Sequence, residues 1–553
     1  MGASLRALRA LVLLAGFFLL GVLLLAVLAG IDYLLYLHAP SALATKLYVV
    51  SVLLAIPVVR GMFMLRTPKD DGQGGLAVTE ADEPELWRTV RELADQVGTR
   101  PPTRILLTGD VNAAVTENAR LLGLLPGPRH LYLGVPLMQG LSEAQLRAVL
   151  AHELGHYVNH DTRLGAITAR GRTQLFRTIA HFEERAAKTA GRERARQEKR
   201  NAKAEAKGRK TREVDTGGAG ITYRTMARIY TAYAHLYFRA TMNDSRRQEY
   251  AADAAAARIA GRDATASALR ELPSLDAAFS FYKDCYATLG TSARLLPPRG
   301  EIFGGFDRLL TARELELAGL RAELPTEPVS PYDSHPAIAD RVRAIEALPE
   351  DGRVDEGKGA ATGLLADPAR TLAVLEDVVL SEQARAFRRT GSWEELLDAA
   401  MSARLASVES PLHRALGAYT GEPPTLPALL KVIDDGQLWQ LAQRLPLSEE
   451  AASATGRVFR EFVRPVLCKA INGMVMAELS ARAQLRWEFS WSRSAIVHLP
   501  LGPDGTELDL EAAVDAATAD VPDTAPLRAL LSYGHTGGHP GGFTDGLTDG
   551  AAR

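Results

Sequence analysis

Ser142-Glu143-Ala144-Gln145-Leu146-Arg147-Ala148-Val149-Leu150-Ala151-His152-Glu153-Leu154-Gly155-His156 opens on a helix start and closes on two histidines four residues apart. Ser142 with Gln145 three positions on is a capping-box pattern, so a helix begins there and runs through the His-Glu segment. On that helix His152 and His156 stack on one face, and both can aim an imidazole nitrogen at one Zn2+ at about 2.0–2.1 Å. Glu153 lies about 100° further round the helix, which puts its carboxylate beside the metal rather than on it, the place of a general base. Zinc lowers the pKa of water towards about 7, and Glu153 is then placed to take the proton as that water attacks a peptide carbonyl.

A catalytic zinc needs a third protein ligand and an open position. A Gly three residues and a His six residues after the second histidine would make a metzincin; Asn159 and Thr162 stand there instead. His160 is near in sequence but tilts off the metal-facing side. Ser245-Arg246-Arg247-Gln248-Glu249-Tyr250-Ala251-Ala252-Asp253 offers a better donor. Glu249 and Asp253 share a helix face, so Glu249 can ligate zinc while Asp253 holds a ligand imidazole from behind. Taken alone, the His-Glu-Leu-Gly-His run is weak evidence, because an ordinary amphipathic helix with exposed His and Glu reads the same way.

Asn112-Ala113 lies ahead of the catalytic helix, Glu249-Tyr250-Ala251-Ala252-Asp253 follows it, and Ser334-His335-Pro336 with Arg341 comes last. With these four segments in order over residues 80–348, the sequence resembles the membrane zinc endopeptidases that include the bacterial heat-shock protease HtpX and the eukaryotic CAAX prenyl endopeptidases. The resemblance implies one Zn2+ per chain, bound by His152, His156 and Glu249, with Glu153 as catalytic base. It also implies that His335 or Arg341 lies near the cleft. His335 is assigned to the tetrahedral oxyanion, against the alternative of a helix-entry residue before Pro336. Asn112, Ala113 and Arg341 are assigned to the substrate, with Asn112 and the strand around residues 130–135 taking an extended peptide as an added strand. Such proteases often carry further hydrophobic spans after the catalytic helix, whereas residues 163–241 are amphipathic and interrupted by charge.

Residues 10–31 hold no charged side chain, which meets the requirement of about 20 apolar residues to cross a bilayer. The run is longer than a signal-peptide core of about 7–15 residues. A second stretch, 47–65, carries Pro57 and Arg60 and is read as a weaker span. Arg6 and Arg9 flank one end of this hairpin and Arg60, Arg66 and Lys69 the other, which puts both ends and the catalytic domain in the cytoplasm. A single span would place everything after Asp32 outside.

The expected fold is mostly α with a small β-sheet, an α+β zincin-like catalytic domain of the gluzincin type. Residues 1–66 form the transmembrane anchor (spans about 10–37 and 47–65), 67–82 a linker and 83–350 the peptidase domain with a charged insertion at 183–217. Residues 360–533 form an extra helical domain, and 534–553 a Gly-rich disordered tail. Helices are expected at 83–97 and 221–261, and strands at 104–108 and 130–135. Between Glu183 and Glu213 twelve Lys and Arg face six Glu, the pattern of a solvated helix or flexible insertion. His535 and His539 in the tail carry no geometric signal without a helix.

Lys plus Arg is 64 against 66 Asp plus Glu, a net charge of −2, so nothing global points to nucleic acid. Cys285 and Cys468 form neither a disulfide framework nor a metal pattern. The partners expected are polypeptide substrates and the lipid bilayer. The competing function is a catalytically silent membrane scaffold that keeps the peptidase fold; retention of Glu153 argues against it. A structural zinc is disfavoured because such sites are closed by four ligands and rich in Cys.

Overall fold

The computed structural model describes residues 3–38, 40–63, 75–117, 127–157, 162–205, 207, 218, 220–324, 335–353, 359–407 and 409–532. Ser334, His160, His535 and His539 lie outside them. The described chain is mostly helical, with small sheets, and divides into two units: residues 1–279 with 314–379, and residues 280–313 with 380–553.

The first unit begins with helices α1 (Ala3–His38) and α2 (Ser41–Phe63). Ala15–His38 is the one segment among the described residues long and apolar enough to cross a membrane. Leu13, Phe17, Leu20 and Leu24 form one face of α1 and pack on two long helices, α6 (Thr162–Glu205) and α7 (Ile221–Ala260). Phe17 is buried against Tyr230, their ring centroids 5.4 Å apart. The Tyr233 hydroxyl donates to the Leu13 carbonyl beside Gly16, whose missing side chain leaves room for the phenol. Tyr223, Tyr230, Tyr233 and Tyr237 of α7 lie in one cluster with residues of α1 and α6, while Leu236 is exposed. The charged stretch continues α6 as helix to Glu205.

Between these helices in sequence lie β1 (Leu76–Val78), α3 (Pro84–Val97), β2 (Arg104–Thr108), β3 (Ala113–Glu117), β4 (Arg129–Gly134), α4 (Val135–Gly140) and α5 (Glu143–Gly155). The sheet order is β1-β2-β4-β3. β4 is buried along its whole length, parallel to β2 and antiparallel to β3. β1 forms inside the stretch expected as linker, and β3 was not foreseen from the sequence. Ser142 and Gln145 cap α5 reciprocally, as their spacing predicts. Leu146, Leu150 and Leu154 on α5 share the core with Leu86, Val90 and Leu93 of α3 and with Ile105, Leu107, Leu131 and Leu133 of the sheet, all at most 1% exposed. Burial of these aliphatic side chains, worth about 1.5–3 kcal/mol each, fixes α5 on the sheet. Gly134 is required where it stands: a Cβ there would lie 1.7 Å from the Asp110 carbonyl oxygen.

The second unit is organised on the helix Gly456–Ala481, whose Phe459, Val463, Leu467, Ile471 and Met474 line a core with Leu429, Leu441 and Val514. An antiparallel hairpin of Arg486–Glu488 with Ile496–His498 interrupts what the sequence pattern reads as almost wholly helical.

Candidate metal centre

α5 ends at Gly155, with His156 as its C-terminal cap in the right-handed helical region, so His152 and His156 remain one helical turn apart. Their Nε2 atoms are 3.2 Å from each other. α7 crosses beside α5 through small residues; a Cβ at Gly155 would stand 3.5 Å from the Cα of Ala252. This close approach brings Glu249 to the pair: its Oε2 is 3.6 Å from His152 Nε2 and its Oε1 3.7 Å from His156 Nε2. These three residues are the one group of potential metal donors found among the described residues, with ligand atoms within 4.8 Å of one another. Ligands of a tetrahedral zinc at about 2.05 Å stand roughly 3.3 Å apart. The observed spacings and the two-imidazole, one-carboxylate chemistry therefore fit the ion.

Behind the histidines the carboxylate of Asp253 accepts from His152 Nδ1 at 2.9 Å, which turns the other ring nitrogen towards Glu249. Arg341 grips Asp253 with two bonds, Nη2 to Oδ1 at 2.6 Å and Nε to Oδ2 at 2.9 Å. Asp253 and Arg341 are 2% and 6% exposed, so this ion pair lies within the protein. Burial by itself would raise the Asp253 carboxyl, but the hydrogen bonds from Arg341 and His152 outweigh it and hold the pKa down at about 2. Burial pushes His156 down to about 4, with the neighbouring His152 adding to the effect, so its imidazole is neutral at neutral pH and free to ligate.

Glu153 is half-buried. Desolvation raises its carboxyl above the ordinary value against the pull of His152, and the charge of Glu249 raises it further. His335 Nδ1 lies 2.7 Å from Glu249 Oε2. That hydrogen bond raises the His335 pKa against desolvation; for Glu249, burial acts upward but the His335 bond and the nearby imidazoles bring the net shift downward. The His335 side chain is 60% exposed.

Asn112 and Ala113 stand at the start of the edge strand β3, where the Asn112 carbonyl accepts from Gly134 N at 2.7 Å; the strand expected to take a peptide, β4, is paired on both sides by β2 and β3 and offers no edge, so the edge is β3 instead. Arg341, expected among the substrate contacts, is instead behind His152. A further group escaped the sequence reading. Tyr157, next to His156, donates from its hydroxyl to the Val115 carbonyl of β3 at 2.5 Å, and Arg129 lies over its ring at 4.5 Å. Burial, with the charge of Glu153, pushes the Tyr157 phenol up to about 12, so it stays a donor. The one available signal was Arg129, a cation at the head of a strand otherwise made for the interior.

A helix carrying two histidines, a glutamate from a second helix and a flanking carboxylate form a group that could hold a metal ion. Residues 80–348 match the model of peptidase family M48. The chain is 28% identical over 272 residues to a protease HtpX homolog of Kineococcus radiotolerans, covering 49% of this chain and 75% of the relative. It is 33% identical over 93 residues to one from Nostoc, 17% of this chain and 30% of the relative. With a third, from Ligilactobacillus salivarius, it shares 35% over 89 residues, 16% of this chain and 28% of the relative. No solved structure matches. Through residues 80–348 the chain is similar to the M48 peptidases and to HtpX-like proteases. It spans about a third or less of the Nostoc and Ligilactobacillus relatives, and residues 349–553 lie outside the family match.

Proposed function

We propose that this chain is a membrane-anchored, zinc-dependent endopeptidase of the gluzincin type that hydrolyses peptide bonds of unfolded or membrane-associated proteins. The observation that carries the reading is the convergence of His152 Nε2, His156 Nε2 and the Glu249 carboxylate, with Asp253 and Arg341 locked behind His152. His152, His156 and Glu249 would hold the ion. Zinc there supplies Lewis acidity, polarising a carbonyl and making water acidic enough to lose a proton near neutral pH.

Glu153 takes that proton. Its raised pKa brings it nearer to neutrality, where a carboxylate both accepts a proton and passes it on to the leaving amine. His335, exposed and with a raised pKa, donates to the oxyanion that develops on the carbonyl. Asp253 and Arg341 fix the ring of His152, which makes Arg341 a positioning residue. The free edge of β3, starting at Ala113, holds an extended peptide through backbone hydrogen bonds, a mode that favours unfolded chain over a folded partner. α1 anchors the enzyme, and α2 is the second pass. The basic residues flanking both ends then put the catalytic domain on the cytoplasmic side.

The test is metal dependence. The full chain in detergent is expected to cleave denatured casein, to lose activity on chelation, and to regain it with about one equivalent of zinc per chain. Activity that survives complete removal of bound metal would overturn the proposal.

A further inference from the structure

Backbone groups along a strand alternate between its two sides. In β3 the Asn112 carbonyl accepts from Gly134 N of β4, and the register pairs Ala114 with Tyr132 and Thr116 with His130. Arg129, opposite Glu117, directs its own carbonyl the other way, accepting from Thr103 N at 2.8 Å. Positions 112, 114 and 116 therefore face β4, and the backbone groups of Ala113, Val115 and Glu117 face the edge that no strand covers among the described residues. The Tyr157 hydroxyl bonds to one of these outward groups, the Val115 carbonyl.

The phenol is held in place. Arg129 stacks on it and is itself fixed by Glu117 Oε2 at 3.1 Å, Thr99 Oγ1 at 2.7 Å and the Arg100 carbonyl at 2.9 Å. Thr99 Oγ1 donates to the Tyr157 carbonyl at 3.4 Å. Arg129 is 7% exposed, so the clamp is internal to the fold.

We infer that Tyr157 caps the free edge of β3 at Val115 and so limits how far an extended peptide pairs along it, which makes Tyr157 a specificity-determining residue. The inference rests on the reading of β3 as the substrate-binding edge. A peptide residue opposite Ala113 makes both backbone bonds of an added strand. Two residues further along, the peptide can accept from Val115 N–H, but its own N–H must compete with the Tyr157 hydroxyl for the Val115 carbonyl. Pairing weakens there, and residues beyond that point on one side of the scissile bond add little to recognition.

The test is a series of peptides sharing one cleavage site and lengthened a residue at a time on either side, assayed with the full chain in detergent. The readout is the ratio of kcat/KM for each longer peptide to that of the shortest, within each variant. Wild type should plateau on one side. Tyr157→Phe, which keeps the ring under Arg129 and frees the carbonyl, should gain about 5-fold or more from the next residue on that side, in line with one backbone hydrogen bond. N-methylation of that peptide residue should remove the gain in Tyr157→Phe and leave wild type unaffected. A Tyr157→Phe ratio that stays flat, whatever its overall rate, would mean that Tyr157 only ties the helix to the sheet, and the inference fails. If wild type cleaves no peptide of the series, the peptidase reading falls and takes the inference with it.

Discussion

Asp253 Oδ1 sits 2.9 Å from His152 Nδ1 and 2.6 Å from Arg341 Nη2, so one buried carboxylate oxygen joins the metal-facing imidazole to a guanidinium from the far end of the domain. Zinc affinity is therefore tied to a residue that never reaches the ion. Asp253→Asn is expected to weaken zinc binding about 10–100-fold, the usual effect of losing a partner that orients a ligand histidine. Competition with a chromophoric chelator measures this; unchanged affinity would show that Asp253 does not orient His152.

Arg341→Ala leaves the Asp253 charge buried without its main partner, and loss of one member of a buried pair costs about 3–5 kcal/mol. The thermal transition of the catalytic unit should fall clearly below that of wild type. Arg341→Lys should recover only part, because a point charge cannot make the two bonds that the guanidinium makes.

The same ion pair gives the metal-free chain a pH signature. The Asp253 pKa is lowered in the fold from 3.8 to about 2, so its stabilisation is fully present above the unfolded value and is lost as pH falls through the folded one. The shift corresponds to about 2 kcal/mol. The stability difference between wild type and Asp253→Asn should be constant above about pH 4 and should shrink towards pH 2.

His335→Ala should lower kcat about 100- to 1000-fold, the range for removal of one oxyanion donor, with little change in KM. Its exposed side chain makes a folding defect an unsuitable explanation, and circular dichroism checks that point. A change confined to KM would assign His335 to substrate binding instead.

Gly134→Ala introduces a Cβ that collides with the Asp110 carbonyl. The loop carrying Asn112 must move, displacing the start of β3. Overpacking of this kind costs about 1–3 kcal/mol, and casein cleavage should fall more than zinc binding, because the edge strand shifts while α5 does not.

Much of the site was legible because its signals are local. The Ser142–Gln145 box fixed the start of α5, the four-residue spacing fixed the shared face of His152 and His156, and the same spacing linked Glu249 to Asp253. β2 and β4 were legible as short strands, the second from its Leu- and Tyr-containing run, and formed at 104–108 and 129–134. β3 was not, because Ala113-Ala114-Val115-Thr116-Glu117 has little strand propensity and is held by its pairing with β4. The Tyr157 clamp depends on contacts with residues 28 to 58 positions earlier, which no window along the chain displays. Arg341 was found as part of the site, but only the three-dimensional packing puts it behind His152 rather than against the substrate.

The most direct measurement compares zinc content and casein cleavage for wild type and Glu153→Gln, purified side by side in detergent. The account predicts about one zinc per chain in both proteins and a loss of cleavage in the variant of at least about 100-fold. Equal cleavage by the two proteins would contradict it.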